Sequence, residues 1–360
     1  MPSRSQDVII VGAGIIGGSI AWRLAQTGAA VTLIDAGTLG GEASWAGAGM
    51  LAPGGEIAER TAWSQFALQS LGLYPAFVQE LESETRDHID YRRCGALEVA
   101  RTEAEWQELL RRRERQNELG IRAAIGDAAP EATGALFYPD DAIVDPRDVT
   151  RALRTACRQR QVRIYEHTPA LEIRMTAHRV EVATGAGCLA ASAVVLAAGA
   201  WSGRIPVSRD GERIEIPATF PVRGHLLGYS LEPGSLGPIL RRGHTYILQR
   251  ASGFTIVGTS SEQVGFNRHP DPEAIADIRA RAGELMPRLR SAPEPEVWLG
   301  FRPATADFEP HIGRVSDTCL WLAYGHYRNG ILLAPATARR VSLEMMSSSG
   351  TGSPAPAVPL

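Results

Sequence analysis

Three closely spaced glycines near the amino terminus constrain the fold of this chain more than any other feature. They form the pattern Gly12-x-Gly14-x-x-Gly17, which follows an apolar segment at residues 7–11 and opens a stretch, residues 15–25, with apolar side chains at helical spacing. A second apolar segment, residues 31–34, ends at Asp35. A strand, a tight turn, a helix and a second strand that ends in an acid predict a βαβ unit that binds a dinucleotide.

Each residue of this motif has a chemical reason. Gly12 permits the sharp turn, Gly14 lets the backbone approach a pyrophosphate on the amino terminus of the helix, and Gly17 allows the helix to pack against the sheet. Asp35 would accept hydrogen bonds from ribose hydroxyls, and its charge would repel a 2′-phosphate, which disfavours NADP. The motif alone does not separate NAD from FAD, and it leaves open a glycine turn that binds no ligand.

The segment after Asp35 favours FAD. Residues 36–53 read AGTLGGEASWAGAGMLAP, a long run of small side chains that can lie flat along an extended ligand. Backbone amides between Ala43 and Met50 would then serve the pyrophosphate and the flavin ring. The alternative is a flexible surface loop, against which Trp45, Met50 and Leu51 argue, because we expect these side chains to be buried.

The composition excludes several classes of protein. A net charge of -3 provides no basic field for nucleic acid. Every basic residue among the 37 is arginine, so a Schiff-base lysine, a P-loop lysine and a lysine general base are excluded. The four cysteines lie far apart without a C-x-x-C pair, which argues against zinc or any other metal site and predicts reduced thiols in a cytoplasmic protein. They are Cys94, Cys157, Cys188 and Cys319.

The apolar start of the chain also resembles the hydrophobic region of a secretory signal. Asp7 interrupts the approach to it, glycines dilute it, and it is too short to cross a bilayer. We therefore expect neither secretion nor an integral membrane segment.

Periodicity elsewhere predicts four more helices and a hairpin. The helices cover residues 61–86, 103–119, 146–160 (capped by Asp145) and about 272–286, and the sequence YILQRASGFTIVGTS predicts two antiparallel strands. The arginine run in LLRRRERQNELG is interpreted as a solvated helix face.

We predict two interleaved domains and a disordered tail. Their bounds are 1–87, 146–217 and 301–346 for the nucleotide domain, 88–145 and 218–300 for the substrate domain, and 347–360 for the tail.

Five segments carry a resemblance to a known family. They are VGAGIIGGSIAWRLA, GTLGGEASWAGAGMLAP, VVLAAGAWSG, GFRPATAD and, near the carboxyl end, GHYRNGILLAP. In these segments the chain resembles the D-amino acid oxidase superfamily of flavoproteins and, within it, the glycine oxidases of thiamine biosynthesis. The resemblance implies an α/β fold in which a Rossmann-like FAD-binding domain is interleaved with a substrate domain built on a mixed, largely antiparallel sheet.

The resemblance also implies site residues. Those that match FAD-contacting positions, beside the three glycines, are Ile15, Ile16, Asp35, Ala36, Ala43, Ser44, Ala48, Gly49, Met50 and Ala170, followed by His326, Tyr327, Arg328, Asn329, Gly330, Ile331 and Leu332. Arg302 matches the residue that binds the substrate carboxylate, with Tyr246 and Arg328 as further substrate contacts. These three residues form the implied catalytic set.

The activity implied is oxidation of glycine and of small amines and D-amino acids, namely sarcosine, D-alanine and D-proline, with non-covalent FAD. Hydride would pass from Cα to flavin N5, and dioxygen would be reduced to hydrogen peroxide. A homo-oligomer, a tetramer in the family, is also implied. Three alternatives stay open: a dehydrogenase of the same fold that reduces a quinone, a flavin-binding protein without turnover, and an NAD-linked dehydrogenase.

Two physical arguments bear on this assignment. Arg302 ends an apolar segment, where an unpaired cation is costly, so it must meet either Asp307 or a substrate carboxylate. A helix that begins near Gly330 would direct its amino terminus toward the N1/O2 side of the flavin ring, where negative charge accumulates on reduction. An ordinary capped core helix is the alternative.

Overall fold

The computed structural model describes residues 7–127, 132–176 and 179–349. The α-helices of this part of the chain are α1 (Ile15–Gln26), α2 (Glu42–Ala46), α3 (Ala62–Thr85), α4 (Glu103–Glu118), α5 (Pro146–Gln159), α6 (Pro272–Leu285) and α7 (Gly330–Ser349). Short 3₁₀ turns lie at Pro53–Gly55, Gly199–Arg204 and Pro287–Ser291.

The strands of the amino-terminal half are β1 (Asp7–Val11), β2 (Ala30–Ile34), β3 (Met50–Leu51), β4 (Tyr91–Arg92), β5 (Ala96–Ala100), β6 (Ala124–Gly126), β7 (Gly134–Tyr138), β8 (Ala142–Val144), β9 (Arg163–Tyr165), β10 (Ala170–Met175) and β11 (Val180–Thr184). The later strands are β12 (Gly187–Ala191), β13 (Ala193–Leu196), β14 (Val207–Arg209), β15 (Glu212–Arg213), β16 (Phe220–Ser230), β17 (Ile239–Arg242), β18 (Thr245–Gln249), β19 (Phe254–Gly258), β20 (Glu296–Ala304), β21 (His311–Arg314) and β22 (Leu320–Tyr324).

A six-stranded sheet in the order β21-β22-β13-β1-β2-β9 organises the nucleotide half of the molecule. All its pairings are parallel except that of β21 with β22. The predicted βαβ unit is confirmed, since β1 pairs with β2 in parallel and α1 connects them. Together with the helices, this parallel sheet confirms the predicted α/β class.

Both faces of this sheet are covered, which explains the unbroken apolar sequence of β1. Val8 and Ile10 face one side, where they enter a core with α1, α3, α5 and α7. Ile9 and Val11 face the other side and pack against the five-stranded sheet β12-β11-β10-β14-β15. Successive side chains of a strand point to opposite faces, so one short segment contributes to two cores.

An eight-stranded sheet in the order β20-β16-β19-β18-β17-β5-β7-β6 forms the second half. The predicted hairpin is confirmed: β18 and β19 pair in antiparallel fashion. One face of the sheet packs on α6 through Leu227, Ile247 and Val257. The other face carries Leu226 and Tyr246 toward the nucleotide half of the molecule. β3, β8 and β4 form a small three-stranded sheet.

Two predicted boundaries fall inside elements of the structure. The predicted boundary between residues 300 and 301 falls inside β20, which pairs with β16 along its whole length. The tail predicted from residue 347 begins with helix, since α7 extends to Ser349. Residues 350–360 lie outside the described residues, and the other boundaries stay predictions.

In the described ranges, no helix has the length and apolar character to cross a membrane, and no group of acidic, histidine and cysteine side chains forms a metal site.

Within the run of small residues, residues 42–46 form α2. Two local expectations, the burial of Trp45 and the full exposure of the arginine run, were wrong. Trp45 is 46% exposed, and the Arg147 guanidinium covers its ring at 3.9 Å from the centroid. In the arginine run, Arg111 is solvated as predicted, but Arg112 turns inward and binds Glu98 at 2.8 Å.

Candidate functional site

A cavity of about 650 Å³ lies between the two halves of the molecule. Val11, Ile34, Ala197 and Tyr324, at or just beyond the carboxyl ends of β1, β2, β13 and β22, form its floor. Ligands of open parallel sheets bind at this edge. The eight-stranded sheet supplies the opposite wall through Gly224, Leu226, Tyr246 and residues 300–303.

The glycine turn has the geometry that its sequence predicts. Gly12 has φ = +104°, a conformation that disfavours any side chain, and a methyl group there would also overlap the carbonyl of Ala197. A methyl group on Gly17 would overlap the carbonyl oxygen of Gly12, so close packing of α1 on the turn requires glycine. Gly14 lines the cavity at the amino terminus of α1. It is the N-cap residue of this helix and has no side chain that could cap the backbone amides.

Asp35 lies beside this turn at the end of β2. Its Oδ2 accepts from the Ala13 amide at 2.6 Å and its Oδ1 from the Gly37 amide at 2.7 Å. Burial raises the pKa of this carboxyl, and the two amide bonds oppose that rise. Each oxygen keeps a second lone pair, so the carboxylate can still accept hydroxyl donors from a ligand.

The segment of small residues forms one wall of the cavity. Ala36, Ala43, Ser44, Ala48, Gly49 and Met50 all line it. Ser44 Oγ accepts from the Ile15 amide at 2.9 Å, which fixes α2 on the first turn of α1. On the outer side of the wall, the buried Arg250 donates to the carbonyls of Ala48 and, at 2.7 Å, Val144.

Ala170 lines the far end of the cavity with Thr168 and Pro169. The Thr168 amide donates to the Asp35 carbonyl at 2.7 Å, and the His167 amide donates to Gly37 at 2.9 Å. These bonds place Ala170 beside Asp35, although 134 residues separate the two positions in the sequence.

The turn at residues 326–329, just before α7, and the start of α7 close the opposite end. His326, Tyr327, Arg328, Asn329, Gly330 and Ile331 line the cavity. The Tyr327 amide donates to the Pro303 carbonyl at 2.9 Å, which joins this turn to β20. His326 lies 3.0 Å from Thr337 Oγ1 through Nε2, and burial lowers the pKa of its imidazole to about 3. His326 is therefore neutral at physiological pH and serves as a structural group.

Two side chains of α3 complete the hydrogen bonding of α7. Pro335 has no N–H to donate to the carbonyl of Ile331, and the Tyr74 hydroxyl donates to it instead at 2.7 Å. The Ser70 hydroxyl donates to the Leu332 carbonyl at 2.6 Å and accepts from the Ala336 amide at 3.3 Å. The turn that lines the cavity is thus held by α3.

Arg302 lies on β20 with its guanidinium in the cavity. It donates to Thr259 Oγ1 at 2.7 Å and to the Ser260 carbonyl at 3.1 Å. Burial lowers the pKa of this guanidinium. Across the described ranges, no carboxylate lies within 4.0 Å of it. The Asp307 carboxylate, considered above as an internal partner, accepts instead from Thr305 and Glu309 at 2.8 and 3.1 Å.

Tyr246 and Arg328 lie near Arg302. Burial raises the pKa of the Tyr246 phenol, although the cations Arg302 and Arg328 oppose this rise, so the phenol is protonated at neutral pH. Arg328 forms an ion pair of 3.3 Å with Glu56. The Asn329 side chain also donates to Glu56, at 3.4 Å. Glu56 has no counterpart among the residues singled out from the sequence.

The cavity brings together every predicted site residue except Gly17 and Leu332. Gly17 packs behind the turn, and Leu332 lies in the helix core. Sequence reasoning missed several polar or aromatic lining residues, among them Glu42, Glu56, Trp201, Arg204 and Arg268. Arg268 pairs with Glu42 at 2.7 Å across the cavity mouth. The Arg268–Glu42 partners are 226 residues apart in the sequence and the Arg328–Glu56 partners 272, so no local pattern indicates either pair.

Comparisons with known proteins agree with this geometry. The family model described as FAD dependent oxidoreductase matches residues 7–342. Glycine oxidase of Bacillus licheniformis is 33% identical over 359 residues, covering 98% of this chain and 94% of that protein. The bifunctional protein ThiO/ThiG of a Synechocystis species is 34% identical over 356 residues, covering 94% of this chain and 51% of that longer protein.

Solved structures give the same result. The crystal structure of glycine oxidase from Geobacillus kaustophilus matches this chain with a TM-score of 0.87 at 30% identity, covering 96% of this chain and 95% of the other. A likeness in sequence and in fold over nearly the entire length leaves one conclusion: this chain belongs to the FAD dependent oxidoreductase family, and FAD is its cofactor.

Proposed function

We propose that this chain is an FAD-dependent oxidase of glycine and other small amino acids, including sarcosine and small D-amino acids. The observation that carries the proposal is Arg302, a guanidinium in the cavity without a carboxylate partner among the described residues. A planar guanidinium binds a carboxylate through two parallel hydrogen bonds. A substrate carboxylate would supply the counter-charge that the protein does not provide.

The residues of the cavity fit FAD. The amino terminus of α1, where Gly14 has no side chain to act as a cap, suits a pyrophosphate. Asp35 suits ribose hydroxyls, and the small residues of 36–50 leave room for an extended molecule. Ala170 would contact the adenine, and the first turn of α7 would contact the flavin edge. When bound, FAD supplies the two-electron acceptor for amine oxidation and passes the electrons to dioxygen, which yields hydrogen peroxide.

The protein's own contribution to the reaction is positioning. Arg302 and Tyr246 would hold the carboxylate, with Arg328 as a second contact, so that the carbon bearing the amine has one orientation in the cavity. The low polarity of the site and the nearby guanidinium groups favour the neutral amine over the ammonium, the form from which oxidation proceeds. The imine product then leaves and is hydrolysed or used directly.

Substitution of Arg302 tests the proposal. In Arg302→Leu we expect the KM for glycine to rise about a hundredfold or more, because a charge-assisted bidentate contact is lost, while the absorbance band near about 450 nm shows that FAD stays bound. The exposed Arg213→Leu is the control and should behave as the wild type. An unchanged KM in Arg302→Leu contradicts the assignment.

A peroxide-coupled screen over glycine, sarcosine, D-alanine and D-proline would identify the substrate. Sequence alone cannot identify it, because a pocket separates such neighbours by only about 1–3 kcal/mol.

The absence of lysine bears on the oxygen step, since this chain cannot place a lysine ammonium group over the flavin. The competing function, a dehydrogenase of the same fold that reduces a quinone, predicts slow reoxidation of the reduced protein by air in a stopped-flow experiment. Fast reoxidation supports the oxidase.

The bifunctional ThiO/ThiG relative supports a place in thiamine biosynthesis, where the imine product would feed formation of the thiazole. Four free cysteines in the described part of the chain support a cytoplasmic location. A homo-oligomer is part of the same proposal, and size-exclusion chromatography with light scattering would test it.

A further inference from the structure

A charged cluster lies behind the cavity wall. It consists of Glu98 on β5, Arg112 on α4, Asp141 between β7 and β8, and Arg241 on β17. Arg241 contacts Asp141 at 3.2 Å and Glu98 at 3.7 Å, and Arg112 contacts Glu98 at 2.8 Å. The side chains of Arg241 and Asp141 are only 8% and 3% exposed. Two acids balance two arginines, so the cluster carries no net charge.

Two arginines of this cluster and the neighbouring Gln116 donate hydrogen bonds to the backbone of one segment, residues 52–57. Arg241 donates to the carbonyl of Ala52 at 3.1 Å, and Arg112 donates to that of Gly55 at 3.3 Å. Gln116, fully buried on α4 one turn after Arg112, donates to the carbonyl of Ile57 at 2.7 Å and to that of Gly54. Four carbonyls of a six-residue segment are therefore bound by three side chains.

The segment is also packed too closely to move freely. A methyl group at Gly55 would overlap the Arg241 guanidinium, and one at Gly54 would overlap the Tyr138 ring. Ile57 is 2% exposed and belongs to the core of the eight-stranded sheet. The segment is a fixed part of the cavity wall and is distinct from a surface loop.

The function of this segment follows from Glu56. Ala52 and Glu56 line the cavity, and Glu56 contacts both Arg328 and Asn329 on the turn before α7. The ion pair spans from the anchored segment to the turn that carries the second substrate contact. The position of the segment therefore sets where the Glu56 carboxylate meets the Arg328 guanidinium.

We propose that Arg112, Gln116 and Arg241 are positioning residues for substrate binding, which hold residues 52–57 so that Glu56 fixes Arg328 at the substrate end of the cavity. This inference rests on the proposed function for its kinetic consequence only. Its structural consequence, the anchoring of the segment, is measurable without turnover.

Gln116→Leu is the test, because it removes two donors without disturbing the charged cluster. In the FAD-loaded protein we expect amide hydrogen exchange at Glu56 and Ile57 to become about tenfold faster or more, since both amides donate only within the segment, to Pro53. The KM for glycine should rise about tenfold while kcat changes less than about twofold, because Arg302 is untouched.

A matched control separates anchoring from general loosening. Gln116 Oε1 also accepts from the Tyr138 hydroxyl at 2.9 Å, so Tyr138→Phe removes that bond while leaving both carbonyl bonds intact. Exchange at residues 56 and 57 should not change in Tyr138→Phe. A double-mutant cycle with Glu56→Gln adds the second check: if Gln116 acts through Glu56, the combined KM effect is clearly smaller than the product of the two single effects.

Unchanged exchange in Gln116→Leu, or equal acceleration in Tyr138→Phe, overturns the anchoring. Multiplicative effects on KM overturn the link through Glu56. Should Gln116→Leu fail to fold, Arg112→Gln provides the same exchange measurement at a partly exposed position. If wild-type protein oxidises no amino acid, the proposed function fails while the exchange result still decides the anchoring.

Discussion

Replacing Tyr74 by phenylalanine tests how the helix that closes the cavity is held in place. Tyr74 is fully buried in α3, and its hydroxyl donates to the carbonyl of Ile331. In an unbroken helix this carbonyl would accept from the amide of residue 335, but proline has none. The tyrosine supplies the donor that the helix lacks.

The expected magnitude follows from these contacts. Tyr74→Phe changes the packing volume by one oxygen atom, and it leaves a buried carbonyl without a donor. Such an unsatisfied acceptor costs about 1–3 kcal/mol. We expect urea unfolding, followed by circular dichroism at a fixed FAD concentration, to show this loss in the free energy of unfolding. FAD affinity should fall as well, because the affected turn lines the cavity.

A double-mutant cycle isolates the cause. Pro335→Ala restores an N–H to the helix, so in that background Tyr74→Phe should cost less than about half as much. Tyr91→Phe is the control: its ring stacks on Tyr74 at 6.1 Å, and in the described ranges its hydroxyl has no hydrogen-bond partner. Equal costs of Tyr74→Phe in both backgrounds, or a cost no greater than that of Tyr91→Phe, would refute the reasoning.

Three further predictions concern the cofactor end and the substrate sheet. Gly17→Ala should abolish FAD binding or folding, because its methyl group overlaps the carbonyl of Gly12, whereas Gly37→Ala, with its nearest atom at 3.6 Å, should retain FAD absorbance. Asp35→Asn should weaken FAD binding about 10- to 100-fold in a fluorescence titration, since it removes a charged acceptor. Burial lowers the pKa of the His225 imidazole, so the folded state keeps this side chain neutral. The unfolded chain takes up a proton on His225 below about pH 6.5. The free energy of unfolding therefore decreases as the pH falls below about 6.5. The unfolding free energy of His225→Gln should decrease less steeply between about pH 7 and 5, and identical slopes would contradict the prediction.

Local patterns were sufficient to predict the geometry of the glycine turn and the position of Asp35 beside it. The glycine turn, β2 and Asp35 lie within 30 residues of one another, and the steric reasons for Gly12 and Gly17 are properties of the turn itself. The helix limits followed equally from local chemistry. Thr61 and Asp145 cap α3 and α5 as side-chain acceptors, and Pro146 begins α5.

What the sequence could not reveal depends on tertiary contacts. The inward orientation of Arg112 requires Glu98 and the segment at residues 52–57 on the same side of α4, which helical periodicity in a charged run does not show. Trp45 looked like a core residue, but Arg147 from α5 covers it at the surface. The predicted domain boundary falls inside β20 because the local pattern of the sequence does not show that this strand pairs continuously with β16.

β20 connects the two halves of the site directly. Trp298 Nε1 donates to the Ala46 carbonyl at 3.0 Å, and four residues later the guanidinium of Arg302 enters the cavity. If FAD bound against α2 strengthens the binding of a carboxylate at Arg302, thermodynamic reciprocity requires that the carboxylate tighten FAD by the same factor.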